Sequence, residues 1–207
     1  MIGKLSLLKV LLAAGAILPP VPGHDRPPIP VDWRRVATPA DRARLRNLRQ
    51  GWIAALDRLR AAGQGKALAA EGALFDPDRV LAGAVPPPGN YRCRVFKLGA
   101  NGSAMRDFTA YPALGCRIDA EGEARSFYAI GGTQRAVGLM FADNPERSVF
   151  LGTMIIGDEQ TAIDYGRDAN RDMVGVVERI GEQRWRLVLP YPRFESLLDV
   201  VEMVPER

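Results

Sequence analysis

The stretch "RIGEQRWRLVLP", residues 179–190, decides the fold. Its second half alternates strictly, with large apolar side chains on one face and arginines on the other: Trp185, Leu187 and Leu189 against Arg184 and Arg186. Alternation with a period of two is typical of a β-strand with one buried face. Residues 180–183 ahead of it, Ile-Gly-Glu-Gln, are typical of a tight hairpin turn. The stretch therefore predicts two antiparallel strands joined by a short turn.

The same period extends over the chain from residue 89 onward. The predicted strands are 90–98, 113–119, 124–131, 135–142, 147–156, 172–180, 183–190 and 196–204. The segments between them are rich in Gly, Asp, Asn and Pro, which turns favour. Short strands joined by hairpins predict an antiparallel eight-stranded barrel, or a sandwich, over residues 89–207.

Residues 38–88 are predicted to be helical and to cover this β-domain. Thr38 is a candidate N-cap, Pro39 occupies the first helical position, and Gly63 ends the helix. One apolar stripe runs along it at spacings of three and four: Leu45, Leu48, Trp52, Leu56 and Leu59. Predicted strands such as 147–156 are apolar on both faces, so this stripe is expected to cover their outer face.

The N-terminus indicates export. Lys4 precedes an apolar run that ends in Ala14-Gly15-Ala16, the small-residue pattern of a signal-peptidase site. Residues 1–16 are therefore predicted to be a cleaved signal peptide and residues 17–37 a proline-rich linker. The expected location is the periplasm. The alternative is an uncleaved signal that anchors the protein in the inner membrane.

Export predicts that the two cysteines pair. Cys93 and Cys116 are the only cysteines, and an oxidising compartment favours a disulfide between them. Cys93 shares strand parity with Tyr91 and Val95, and Cys116 with Ile118. Both cysteines are thus expected on the apolar face of neighbouring strands.

Several chemistries are excluded or disfavoured by the residues present. The only histidine, His24, lies in the linker, so no Ser-His-Asp triad or His-ligated zinc site forms within the domain. No phosphate loop or dinucleotide fingerprint is present, and no cofactor is indicated. Asp168, Asn170 and Asp172 match the start of a calcium loop, but Met173 and Arg179 break the pattern, so no metal site is predicted.

Four segments resemble an uncharacterised family of exported bacterial proteins, domain of unknown function 4893. They are "DWRRVATPADRARLRNLRQGW", "GNYRCRVFKLG", "YGRDANRDMVGVVERIGEQRWRLVLP" and "FESLLDVVEMVP". The resemblance covers about residues 32–205 and implies no activity or site residues. A weaker resemblance is to lipocalin-type barrels, which begin their first strand with Gly-x-Trp. Here Gly89-Asn90-Tyr91 carries tyrosine instead.

The predicted function is a non-catalytic exported barrel that binds a small apolar ligand or a cell-envelope partner. Tyr91, Tyr128 and Trp185 are the candidate ligand-binding residues, although aromatic residues in strands are more often core. The alternative is a hydrolase that uses a carboxylate pair among Asp164, Asp168 and Asp172.

A third alternative is an interaction protein that docks through an arginine face of the helix, Arg42, Arg46 and Arg49. With a net charge of +4 and no block of like charges, no nucleic-acid partner is expected, and membrane contact is expected to be peripheral at most.

Overall fold

The computed structural model describes residues 32–102 and 106–206 of the 207-residue chain. Nine antiparallel strands form one sheet: β1 (Gly89–Ala100), β2 (Phe108–Ala110), β3 (Leu114–Glu121), β4 (Ala124–Ile130), β5 (Gln134–Asn144), β6 (Arg147–Ile156), β7 (Asp172–Gly181), β8 (Arg184–Pro190) and β9 (Ser196–Pro205). Each strand from β3 to β9 pairs with the next, and β9 pairs back onto β1. The eight strands without β2 therefore form a closed barrel, and the prediction of a mainly β, eight-stranded fold is confirmed.

The long strand β1 is the reason the sheet closes instead of splitting into a sandwich. Its first half pairs with β3 from Gly89 to Cys93, and residues 91–100 pair with β9. One strand thus joins both ends of the sheet. Beyond Cys93 the other edge of β1 pairs with β2, which the sequence did not predict because three residues are too few to show a period.

Every second side chain of each strand points inward, and these side chains fill much of the barrel. The interior cluster includes Tyr91, Phe127, Met140, Phe150, Trp185, Leu187 and Met203. Two paired glycines on β5 and β6, Gly138 and Gly152, lie beneath the ring of Phe150, and a Cβ atom on either would collide with that ring. Large rings fit within the small barrel because glycine occupies the facing positions.

The helical segment has more breaks than its apolar stripe predicts. It comprises α1 (Trp33–Val36), α2 (Pro39–Arg46), α3 (Leu48–Ala61), α4 (Gly65–Ala70) and a 3-10 turn (Gly72–Phe75). The continuous helix expected from Thr38 to Gly63 is interrupted at Asn47, whose ψ of 7° leaves the helical range. Asparagine is a weak helix former, and the break lets α2 contact β7 while α3 contacts β1, β8 and β9.

The apolar stripe covers the outer face of the barrel at β1, β7, β8 and β9. The outer face of β6, for which this cover was predicted, packs instead against Trp33 and Ala37, with Leu45 as the one stripe residue in contact. Trp52, Leu56 and Leu59 are buried in a second cluster with outward-facing residues of β1, β7, β8 and β9. Leu45 and Leu48 are partly buried at its edge. The protein is therefore layered, with one core inside the barrel and another between the barrel and its helices.

Arg186 attaches the helical segment to the barrel. Its side chain is on the polar face predicted for β8, yet it is 0% exposed because the helical segment covers it. It contacts Glu178 through Nε at 2.9 Å and Nη2 at 2.7 Å, and it donates to the backbone carbonyls of residues 73, 74, 76 and 79. Its guanidinium also lies 4.7 Å from the centroid of the Trp52 ring. One cation therefore holds the segment after α4 against the barrel.

The two ends of the barrel differ in their connections. At one end, the turns between β3 and β4, β5 and β6, and β7 and β8 have two residues each. At the other end lie the longer connections 157–171 and 191–195, together with 131–133 and the short strand β2. The predicted signal peptide 1–16 and most of the predicted linker 17–37 fall outside the described residues, and the domain boundaries stay predictions.

Candidate functional site

The barrel has an apolar cavity at the end with the long connections. Its volume is about 160 Å³. The walls come from inward-facing residues of most of the strands, among them Val95, Phe127, Met154, Met173, Leu189 and Val201, with Cys93 also in the lining. The interior is thus filled over one part of its length and hollow at the mouth.

A buried ion pair lies in the wall of this cavity. Lys97 of β1 and Asp199 of β9 face each other across paired strands, with Lys97 Nζ 3.3 Å from Asp199 Oδ2. Lys97 Nζ is also 2.9 Å from Glu195 Oε2, and Ser196 Oγ donates to Asp199 Oδ1. Burial raises the pKa of Asp199, with Lys97 opposing the shift. Burial alone would lower the pKa of Lys97, but the facing carboxylates raise it above its ordinary value.

The sequence contains a signal for this pair, which is the strand parity of its two residues. Lys97 has the same strand parity as Tyr91 and Cys93, and Asp199 has the parity of Val201. A lysine and an aspartate on otherwise apolar strand faces are expensive to bury unless paired. Their parity alone places both inside the barrel.

The rim of the mouth exposes apolar side chains. Phe194, in the β8–β9 connection, is 58% exposed, and Leu114 and Ile130 are also exposed beside the mouth. Glu195 follows Phe194 with a φ of 75°, in the left-handed region that side chains other than glycine rarely adopt. Apolar side chains therefore border the cavity, together with charged ones of the same mouth such as Arg171 and Arg193.

The three aromatic residues predicted to bind ligand lie elsewhere. Tyr91 and Trp185 pack edge to face in the filled part of the barrel, where Tyr91 Oη donates to Pro87 O and Trp185 Nε1 donates to Gly83 O. Burial raises the pKa of Tyr91 to about 12. Tyr128 has the opposite parity to the buried Phe127 and is hydrogen-bonded to Ser126 on the outer face. None of the three lines the cavity described above.

The predicted disulfide is confirmed. Cys93 and Cys116 are bonded, and their Cα atoms are 6.0 Å apart on the neighbouring strands β1 and β3. In the strand register Cys116 lies opposite Tyr91, so the bridge runs diagonally across the pair. Both cysteines belong to the interior cluster, and Cys93 also faces the cavity.

The carboxylates of the hydrolase alternative are differently placed. Asp172 is buried at the start of β7 and accepts a hydrogen bond from Gly166 N at 2.8 Å, and burial raises its pKa. Asp168 accepts from Asn170 N within its own turn, and Asp164 is exposed. Within residues 32–102 and 106–206, no group of three His, Cys, Asp or Glu side chains is placed to hold a metal ion.

Fold and cavity together define a class of protein: a closed eight-stranded antiparallel barrel with a helical cover and an apolar cavity at one end. Residues 33–203 match the family described as Domain of unknown function (DUF4893), and the chain belongs to that family. No curated protein and no solved structure matches the chain significantly. Among the helices that the structure describes, none is both long and apolar enough to cross a membrane.

Proposed function

We propose that the protein binds a small apolar ligand in the cavity at the barrel mouth. The observation that carries the proposal is the hollow itself: inward-facing side chains fill the rest of the interior, but an apolar space of about 160 Å³ stays open at the mouth. Barrels of eight strands either fill with side chains or hold one small ligand. The open part of this barrel supports the second use.

The dimensions and lining set the kind of ligand. An apolar cavity of about 150 Å³ accommodates benzene, so one ring or the end of an acyl chain fits here. The polar end of such a ligand is expected near Lys97, Glu195 and Asp199. Because Lys97 already pairs with both carboxylates, a neutral hydrogen-bonding group suits this position better than a charged one.

A pair of phenylalanine substitutions on one strand tests the proposal. Ala136 on β5 lines the cavity, and Ala142 on the same strand is exposed outside it. The assay is calorimetric titration with benzyl alcohol, a neutral ligand with one ring, and with short alkanols as the acyl-chain comparison. We expect one benzyl alcohol per wild-type protein, at least about tenfold weaker binding to Ala136→Phe, and unchanged binding to Ala142→Phe.

Thermal melts of both variants separate a filled cavity from a damaged fold. Benzyl alcohol binding that survives in a folded Ala136→Phe protein would place the ligand elsewhere and contradict the proposal. Hydrolysis of ester or glycoside substrates, lost in Asp168→Asn or Asp172→Asn with the fold intact, would instead support the hydrolase.

We also propose that the protein works in the periplasm. The Cys93–Cys116 disulfide fits a protein outside the cytoplasm, because structural disulfides persist in oxidising compartments. Fractionation followed by N-terminal sequencing tests this. A mature chain beginning near Ile17 in the periplasmic fraction is expected, and intact Met1 in the cytoplasmic fraction would contradict it.

A further inference from the structure

A second cavity lies outside the barrel, between its helical cover and the strands β7 and β8. Its volume is about 220 Å³. Leu45, Leu48, Val176 and Val188 form its apolar part, and four arginines contribute to its lining: Arg46, Arg49, Arg147 and Arg186. Glu178 is the only carboxylate in that lining.

The arginines are incompletely neutralised. Glu178 serves two of them, because Arg186 and Arg147 both contact its carboxylate, the latter at 3.3 Å. Arg49 pairs with Asp78 at the surface. Arg46 makes no hydrogen bond or ion pair to any part of the chain that the structure describes. A cavity with this excess of guanidinium groups favours an anion.

Trp52 gives an independent indication of a ligand. Its side chain lines the cavity and is 3% exposed, yet its indole N–H has no acceptor among the described residues. The other two indoles are satisfied, since Trp33 Nε1 donates to Asp143 and Trp185 Nε1 donates to Gly83 O. A buried donor without a partner costs about 1–3 kcal/mol, and an anion in the cavity would supply its acceptor.

The cavity continues into a neighbouring hollow along α2. That hollow has a volume of about 380 Å³ and shares Leu45, Arg46, Arg147 and Val176 with the first. It adds Arg34 and Arg42, with Asp143 as its carboxylate. A ligand larger than its anionic group therefore has room to extend along a second basic surface.

We propose that this cavity binds a phosphate group. Phosphate has the higher charge and the larger number of acceptor oxygens, which suit several guanidiniums and an indole N–H better than one carboxylate does. Arg46 and Arg147 donate from the rim, Trp52 donates from within, and Arg186 contributes its charge because its own donors are already used. The phosphate comes either from a small soluble molecule or from a lipid headgroup.

The three indole N–H groups provide a direct measurement. In a ¹⁵N–¹H spectrum of the full chain, titration with inorganic phosphate at constant ionic strength should shift the Trp52 indole signal downfield, because only that N–H gains an acceptor. The Trp33 and Trp185 signals should stay in place. Trp52→Phe assigns the signal, and it should weaken phosphate binding without removing any hydrogen bond from the free protein.

Matched arginine variants separate site binding from general charge. Arg46→Gln is expected to weaken phosphate binding about tenfold, since it removes a charged donor. Arg92→Gln removes an exposed arginine outside the cavity and should leave binding unchanged. A Trp52 signal unmoved at millimolar phosphate, or equal losses in both arginine variants, would overturn the proposal.

The source of the phosphate is resolved by two further titrations. Glycerol phosphate should compete with inorganic phosphate if the ligand is a soluble phosphate ester. Vesicles of phosphatidylglycerol, compared with phosphatidylcholine, should bind the wild type and not Arg46→Gln if the ligand is a lipid headgroup. Acetate that shifts the Trp52 signal as strongly as phosphate would contradict the preference for phosphate.

Discussion

Replacing Arg186 by methionine tests whether one buried cation holds the helical segment on the barrel. The substitution keeps most of the side-chain volume but leaves Glu178 buried with only Arg147, at 3.3 Å, for a partner. It also removes the donor to the backbone carbonyls of residues 73, 74, 76 and 79. Removing one partner of a buried ion pair costs about 3–5 kcal/mol, so we expect the free energy of unfolding to fall by that amount.

Urea denaturation followed by tryptophan fluorescence measures this loss. Arg184→Met is the matched control, because Arg184 lies on the same face of the same strand, its side chain is 28% exposed, and its partner Glu202 keeps Arg94 at 2.7 Å. It should cost no more than about 1 kcal/mol, because it leaves no carboxylate without a close partner. Adding Glu178→Gln to Arg186→Met should recover roughly 2 kcal/mol by removing a buried charge that keeps only Arg147 as its partner. Equal losses in the two methionine variants would refute the role assigned to Arg186.

Three other predictions concern the disulfide, the interior and the mouth. Cys93→Ser and Cys116→Ser should each lower the free energy of unfolding by about 3 kcal/mol for a sequence separation of 23, and the double variant by little more; two free thiols in the native protein would contradict this. Gly152→Ala should cost about 1–3 kcal/mol in a urea melt, because its Cβ would collide with the backbone carbonyl of Val137 and with the Phe150 ring, and an unchanged midpoint would be evidence against this close packing. The pKa of Glu159, lowered from 4.5 to about 2 chiefly by Arg171, should return toward 4.5 in Arg171→Gln when followed by carboxyl NMR. The stabilisation from that lowered pKa is present above pH 4.5 and is lost as the pH falls toward 2, so a variant with unchanged acid sensitivity would exclude the contribution.

The strand pattern predicted the barrel well because its alternation is local. The alternation of "RWRLVLP" is visible within the segment itself, and each two-residue turn marks the end of a strand. The closure of the sheet into a barrel could not be predicted, because it depends on β1 pairing with β9, and most of the paired residues are more than a hundred positions apart. The sequence therefore left barrel and sandwich as alternatives.

The candidate sites depended on pairings that no single segment shows. Lys97 and Asp199 each have the parity of the barrel interior, but only the register of β1 with β9 shows that they pair. Arg186 likewise follows the polar alternation of β8, yet it is buried because residues 72–79 cover it. Tyr128 appeared suitable for a pocket by residue type, whereas its parity relative to Phe127 places it outside.

The position of Arg186 late in the chain has a consequence for the order in which the protein acquires its structure. Residues 73–79 are synthesised first, but the cation that satisfies their carbonyls lies more than a hundred residues further on, in a hairpin that must already have formed to pair Arg186 with Glu178. Closure of the barrel waits for β9 as well. Contacts of such long separation slow folding, so the contacts of α3 with β8 and β9 form only when nearly the whole chain is available, whereas those with β1 can form much earlier.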